Sequence, residues 1–445
     1  MNQTTATSPL TPATEPTPWI NRVSGWLLFT ALLAALSSNL IDDFPGIVSG
    51  LFAWAAALLM WPKLKFQQRV QSLIMLFSGT AGLLWASQQQ PFHWQEALSA
   101  NRHLIAMLCA VTFLRLVATR ELTCDKSHPT GPGALIRTLL GVHLFGAVIN
   151  YSAPILMGER LAGGKSLQPA QAIVLSRGFG AAAFWSPFFV AMGVALTNAP
   201  GAELVSISLA GLPLALLALV ITRREIMSRT DLDQCEGYPM QIHALKIPAL
   251  LALTILVLHE ILSQIPVVTL IASTSLILTT LLLLKREPAS THQRLTGHIH
   301  KALSTMQSEV WLFLSAGVFA TGISSVVQVT GFDLALERAG AFEISLFMLF
   351  GLVLSLLAIH PVIIIASAGS LLAPLADSPN LLALSFLMIW VMGVSASPFS
   401  GQNLSMASRF QLNNVDFLRW NLGYALKIYL LCVLALFSYE ALGVL

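Results

Sequence analysis

The chain has 445 residues, 55% of them hydrophobic, and only 24 Lys+Arg against 21 Asp+Glu. A soluble chain of this length would carry roughly 110 charges, so the shortfall, with a mean hydropathy of +0.73, excludes soluble globular, disordered and nucleic-acid-binding classes. The net charge of +3 is too small to point to a polyanion. What remains is an all-α polytopic membrane protein, in which about eleven spans of roughly 20 residues would use about half the chain.

Residues 1–18 hold six Thr and four Pro, with Glu15 as the only charge. No basic stretch leads into an apolar core, so 1–22 reads as a disordered cytoplasmic tail and not as a signal peptide. Clean apolar runs at 23–41, 46–61 and 70–87 form an N-terminal scaffold segment, 23–102. The run 103–119 opens a first repeat, 103–230, and 203–222 closes it. A linker with two further scaffold helices, 244–262 and 265–284, fills 231–302. Runs 309–330 and 421–442 bound a second repeat, 303–445. Cys109, Cys124, Cys235 and Cys432 are too far apart for a disulfide framework or a zinc site, and no metal-ligand spacing occurs. No soluble stretch is long enough for a nucleotide-binding or catalytic domain, so neither an ATP-driven pump nor an enzyme is expected.

Two regions, 133–198 and 341–409, are apolar but repeatedly interrupted by Gly, Ser, Asn and Pro. Loop charges orient them by the positive-inside rule. Basic segments at Lys63, Lys65 and Arg69, at Arg120, Lys126 and Arg137, at Arg223, Arg224 and Arg229, and at Lys285, Arg286, Arg294 and Lys301 belong inside. Asp42, Asp43 and the loop of Glu203 belong outside. These signs agree if 133–163 enters from the cytoplasm and returns as a re-entrant hairpin with its tip near Asn150–Pro154, and 170–198 crosses once as a broken helix. The second half repeats the pattern from the opposite side, with a hairpin at 341–375, its tip at His360–Pro361, and a broken helix at 381–409. The N-terminus is then cytoplasmic.

Ser186-Pro187-Phe188 and Ser397-Pro398-Phe399 stand at equivalent points, 211 residues apart, and the same shift carries Asn150 onto Pro361. Inverted-topology repeats with discontinuous helices place a binding site near the midplane of secondary transporters. Half-helix N-termini suit an anion, and unwound carbonyls and hydroxyls suit Na⁺ or a proton-carrying group. The candidate substrate and ion residues are Asn150, Tyr151 and Ser152 at one tip, Ser186 and Pro187 at the first break, and His360 and Pro361 at the second tip. Ser397, Pro398, Ser400, Gln402 and Asn403 complete the set at the second break. Asn403 is expected to aim its amide into the cavity, with Asn421 as an indifferent control. Arg177 is read as snorkelling to headgroups in preference to touching substrate, and Arg115 as a plain snorkeller. His143 reads as a packed, hydrogen-bonded histidine, and His259 and Glu260 as interfacial.

The element order resembles the ion transporter superfamily, which includes divalent anion/sodium symporters and arsenite permeases. EVWLFLSAGVFATGISSVVQVTG (309–331) is similar to the span that opens the second repeat there, and GVSASPFSGQN (393–403) resembles the second broken helix. The likeness covers roughly 103–440. The symporters' Ser-Asn-Thr hairpin signatures are absent, and the tips read Asn150-Tyr151-Ser152 and Ile359-His360-Pro361. The resemblance implies a scaffold that mediates homodimerisation and a transport domain that moves as an elevator. The expected function is a bacterial inner-membrane secondary transporter for a small organic or inorganic anion, coupled to Na⁺ or H⁺, with no other cofactor. A cation/proton antiporter is the alternative, against which no Asp or Glu stands at any of the four breaks. A non-transport membrane subunit or intramembrane enzyme is the third reading. Reporters fused at 162 and 377 should lie on opposite sides of the membrane, the first cytoplasmic; the same side for both would refute the inverted arrangement.

Overall fold

The computed structural model describes residues 18–41, 43–118, 129–238, 246–262, 264–331 and 336–443. Most of the expected tail, and Asp42, Arg120, Cys124 and Lys126, lie outside the described residues. The N-terminal group is α1 (Pro18–Leu40), α2 (Ile47–Met60), α3 (Phe66–Ala86), α4 (Trp94–Ser99), α5 (Arg102–Phe113) and α6 (Arg115–Ala118). A second group follows: α7 (Pro132–Ile149), α8 (Ser152–Ala162), α9 (Pro169–Ala181), α10 (Val190–Asn198) and α11 (Leu204–Met227). Next come α12 (Lys246–Ile261), α13 (Val267–Arg286) and α14 (Thr291–Lys301). The last group is α15 (Gln307–Thr330), α16 (Ala341–Leu356), α17 (Pro361–Leu372), α18 (Pro379–Ala396), α19 (Gly401–Phe410) and α20 (Asn414–Leu442). Among the described residues there are no strands, only two isolated bridges.

Eight stretches among the described residues are long and apolar enough to cross a membrane, and the chain is a multi-pass all-α membrane protein. The eleven expected crossings included α2, α3, α12 and the broken α9–α10, none of which is among these eight. The reasons are local. Helices α2 and α12 have 14 and 16 residues, α3 carries Gln67, Gln68, Arg69 and Gln71 in its opening turns, and α9 ends at Ala181. Two boundaries differ outright from expectation. Residues 18–22, read as tail, already belong to α1. The basic stretch read as a loop before 302 contains helix α14, whose polar sequence hid it from a search for apolar runs. This helix docks through His298 Nε2 on Thr112 Oγ1 (2.8 Å) and His300 Nε2, which accepts from Trp26 Nε1 (3.0 Å). Burial pushes the His298 imidazole down to about 4, with Arg115 adding to the shift.

The interrupted regions turn where the Gly, Ser, Asn and Pro residues stand. Helices α7 and α8 form one hairpin and α16 and α17 another, and each is followed by a helix broken in its middle. The two series keep a common spacing: α10 begins at Val190 and α19 at Gly401, 211 residues apart. At the centre lies α18, with every residue from Leu381 to Ala396 buried. A helix apolar on all faces has no side to offer water and belongs inside a bundle. In the N-terminal layer α3 and α15 approach to backbone contact, because a Cβ on Gly322 would stand 2.3 Å from the Gly79 carbonyl oxygen and one on Gly79 would stand 2.6 Å from the Val318 carbonyl oxygen. Gly322→Val should therefore separate α3 from α15 and lower the thermal midpoint in detergent. Gly297→Ala, where a Cβ meets nothing within 4 Å, should leave the midpoint unchanged or raise it, by about 0.5–1 kcal/mol in stability; equal midpoints for Gly322→Val and wild type would count against the close approach.

Candidate functional site

Both broken helices use one local device. At the first break, Ser186 Oγ accepts from Phe188 N (3.2 Å) and donates to the Ala147 carbonyl of the hairpin. At the second, Ser397 Oγ accepts from Phe399 N (3.3 Å). The carbonyls freed by the unwinding still need donors. Asn150 Nδ2, at the first tip, supplies Phe188 O (2.9 Å). Asn150 itself sits at φ 53°, a left-handed conformation that Asn tolerates better than most residues. At the second break Asn403 Nδ2 lies within bonding distance of Val394 O (3.1 Å), Ser395 O (3.0 Å) and Ser397 O (2.9 Å). Ser400 caps α19, accepting from Asn403 N (3.2 Å) while its hydroxyl donates to Val394 O (2.9 Å). At the other tip His360 Nδ1 accepts from Val362 N (3.2 Å) and caps α17.

A cavity of about 680 Å³ opens between these breaks and the N-terminal layer. Asn150, Tyr151, Ser152, His360 and Gln402 of the expected residues line it. Ser186, Pro187, Pro361, Ser397, Pro398, Ser400 and Asn403 do not; all are buried behind the wall, in or beside the breaks. The expectation that Asn403 aims its amide into the cavity is corrected: the residue is fully buried and its NH₂ is spent on the break carbonyls. The hairpin tip is tied to the second broken helix by Tyr151 Oη, which donates to Gln402 O (2.8 Å), and by an Arg409–Glu159 ion pair.

Sequence reading missed the other wall. Lys63, Lys65, Gln68, Gln71, Arg115 and Glu309 come to the cavity from the N-terminal layer, with Trp390 from the central helix. Arg115, read as a snorkeller, faces this cavity. The signal that could have found these residues is the scarcity of charge itself, since four of only 24 cations, Lys63, Lys65, Arg115 and Arg409, line one space. The first residues of α8, α10 and α19, and the capping residue of α17, also line it. Four half-helix N-termini therefore meet there, and the first N–H groups of a helix have no acceptor within it. A separate crevice of about 430 Å³ between α3 and α15 is walled mainly by Gly82, Gly322, Ile323 and Val326 and offers no charge to a ligand.

Arg177 neither snorkels nor touches the cavity. It is 1% exposed, with Nη1 on Glu225 Oε2 (2.6 Å), Nη2 on Trp420 O (2.6 Å) and Nε on Asn421 Oδ1 (2.7 Å). Its guanidinium lies over the Tyr424 ring at 4.5 Å. Asn421, the intended indifferent control, is fully buried and donates from Nδ2 to Ser395 O (3.0 Å), a carbonyl of the second break. His143 is bonded on both ring nitrogens, Nδ1 to Gly178 O (3.1 Å) and Nε2 to Trp185 Nε1 (3.2 Å). His259 is half-buried and Glu260 exposed near the end of α12.

No family profile and no curated protein matches the chain. A crystal structure of the YdaH transporter from Alcanivorax borkumensis is similar at 14% identity, covering 96% of this chain and 99% of that one, with a TM-score of 0.37.

Substitution in the buried network should cost stability. Arg177→Ala should lose about 3 kcal/mol, the low end for a broken buried pair because Glu225 reaches water. Asn421→Ala and Asn403→Ala should each lose about 1–3 kcal/mol by leaving buried partners unmet. Thermal unfolding of the purified variants against Lys285→Ala, at an exposed position away from the network, measures this; wild-type stability in all three would refute the network's role.

Proposed function

We propose that the chain is a secondary transporter that carries a small organic or inorganic anion across the bacterial inner membrane, coupled to Na⁺ or H⁺, and that it is not an enzyme. The observation that carries this reading is the convergence of four helix N-termini and four cationic side chains on one cavity. Each N-terminus carries a partial positive charge, which in a cavity favours a negative ligand. Nonhelical backbone at membrane depth is tolerated when it is buried in protein or lines a cavity, and the tips and breaks here do one or the other.

The common 211-residue spacing and the loop charges support two repeats of opposite orientation, a cytoplasmic N-terminus, and a cavity open to the cytoplasm where Lys63, Lys65 and Arg409 stand. The N-terminal helices and α12–α14 then act as scaffold. In this reading the hairpins and broken helices form the moving part, and the chain works as a homodimer.

Uptake by proteoliposomes tests the reading. Labelled sulfate, nitrate, succinate and benzoate are offered with a Na⁺ gradient, a pH gradient, or neither. At least one anion should accumulate under one of the gradients. For that anion Arg115→Gln should weaken apparent affinity about 10- to 100-fold, the loss of one charge-assisted contact of about 1.5–3 kcal/mol. Lys285→Gln, at an exposed position on the last turn of α13, should behave as wild type. No accumulation of any of the four, or equal effects of the two substitutions, would overturn it.

A further inference from the structure

We propose that Glu309 takes up one proton with each anion that enters the cavity, and so makes anion binding depend on pH. This rests on the anion reading above. Glu309 stands in the first turn of α15 and lines the cavity from the N-terminal layer, opposite the tips and breaks. Its side chain is exposed to the cavity space. It forms no ion pair with any described residue, although the cavity holds Lys63, Lys65, Arg115 and Arg409. The other carboxylate in the cavity, Glu159, is already paired with Arg409.

The surrounding groups leave Glu309 as the one placed to titrate with the ligand. Lys63 is engaged with Asn21 Oδ1 (2.7 Å) and Ser304 O (2.8 Å). From the second tip comes His360, whose Nδ1 accepts a backbone N–H and whose ring is therefore neutral, with its proton on Nε2. Cys109 on α5 is fully buried behind the wall. Lys65 and Arg115 remain as fixed positive charges, and α2 meets α15 through the Trp54–Trp311 ring pair, at 5.8 Å between centroids.

An acid in the first turn of a helix is often only a partner for the helix dipole. Its effect would then end at the helix. Here the carboxylate shares a cavity with the proposed ligand, and two negative charges close together resist each other. An anion entering beside Glu309 therefore favours the protonated carboxyl, and protonation in turn favours the anion by the same factor, because coupling between two binding events is reciprocal. One H⁺ adds to one Glu309 oxygen as one anion enters. When the anion leaves, the proton returns to the solvent in the cavity and the carboxylate is restored.

Titration calorimetry of the full chain in nanodiscs, with whichever of sulfate, nitrate, succinate or benzoate the liposomes accumulate, tests this. Repeating it in buffers of different ionisation enthalpy counts protons. Wild type should take up close to one proton per anion, and affinity should rise about tenfold for each pH unit of acidification through the responsive range. Glu309→Gln should still bind the anion, but with neither proton uptake nor pH dependence, and Glu309→Asp should restore both. Anion binding by wild type without proton uptake, or proton uptake that persists in Glu309→Gln, would overturn the proposal and leave the anion reading standing. If Glu309→Gln does not fold, the wild-type proton count and the Glu309→Asp variant decide. Binding of none of the four anions by wild type would remove both.

Discussion

An interrupted helix inside an apolar bundle must find new partners for every backbone group it releases, since each unmet group costs free energy where no water can replace the lost bond. This constraint shapes the centre of the protein. At the second break a single amide, Asn403 Nδ2, sits within bonding distance of three released carbonyls, and Ser400 caps the helix that resumes. At the first break the solution is different: the donor comes from outside, from Asn150 on the neighbouring hairpin tip. The hairpin is therefore not an ornament on the first broken helix but the source of its missing hydrogen bond. The two halves share the Ser-Pro-Phe turn and differ in how the carbonyls beyond it are satisfied.

The same economy explains Arg177. A guanidinium 1% exposed among apolar helices is costly unless its donors and charge are met, and α11 and α20 meet them with Glu225, Trp420 O and Asn421. Asn421 then passes its own NH₂ to Ser395 O. A chain of polar contacts thus runs from a carboxylate near the surface, through the buried arginine, to the unwound backbone of the second break. Helices far apart in sequence, α9, α11, α18 and α20, are joined by it. Packing alone would permit them to slide; directional bonds at these distances do not.

The first break draws its donor from Asn150 on the cavity wall, and the second draws its donors from Asn403 behind the wall. Tyr151, His360 and Gln402 line the cavity as well, with the first residues of α8, α10 and α19. The opposite wall belongs to the N-terminal layer and brings Lys63, Lys65, Arg115 and Glu309. The two walls of the cavity are thus built from segments far apart in the sequence. The close Gly79–Gly322 contact, by contrast, lies within the N-terminal layer and holds it as one piece.

The sequence by itself determined the membrane class, through its apolar content, and the places where helices stop, through Gly, Ser, Asn and Pro, because these are local properties of backbone and side chain. Both hairpin turns and both breaks stand where those residues predicted, and the 211-residue spacing was visible in Ser186-Pro187-Phe188 and Ser397-Pro398-Phe399. Helix α14 escaped because its stability comes from docking on Thr112 and Trp26 and not from an apolar run. Which face of each break meets the cavity was likewise outside local reach. Asn403 and Asn421 have the same side chain and the same sequence-level promise, yet each is consumed by carbonyls of the unwound segment, and Arg115 turns inward where a lipid-facing position was expected. Side-chain direction at a break depends on which released backbone group lies within reach, and that is set by neighbours brought together from hundreds of residues away. Only the tertiary structure decided it.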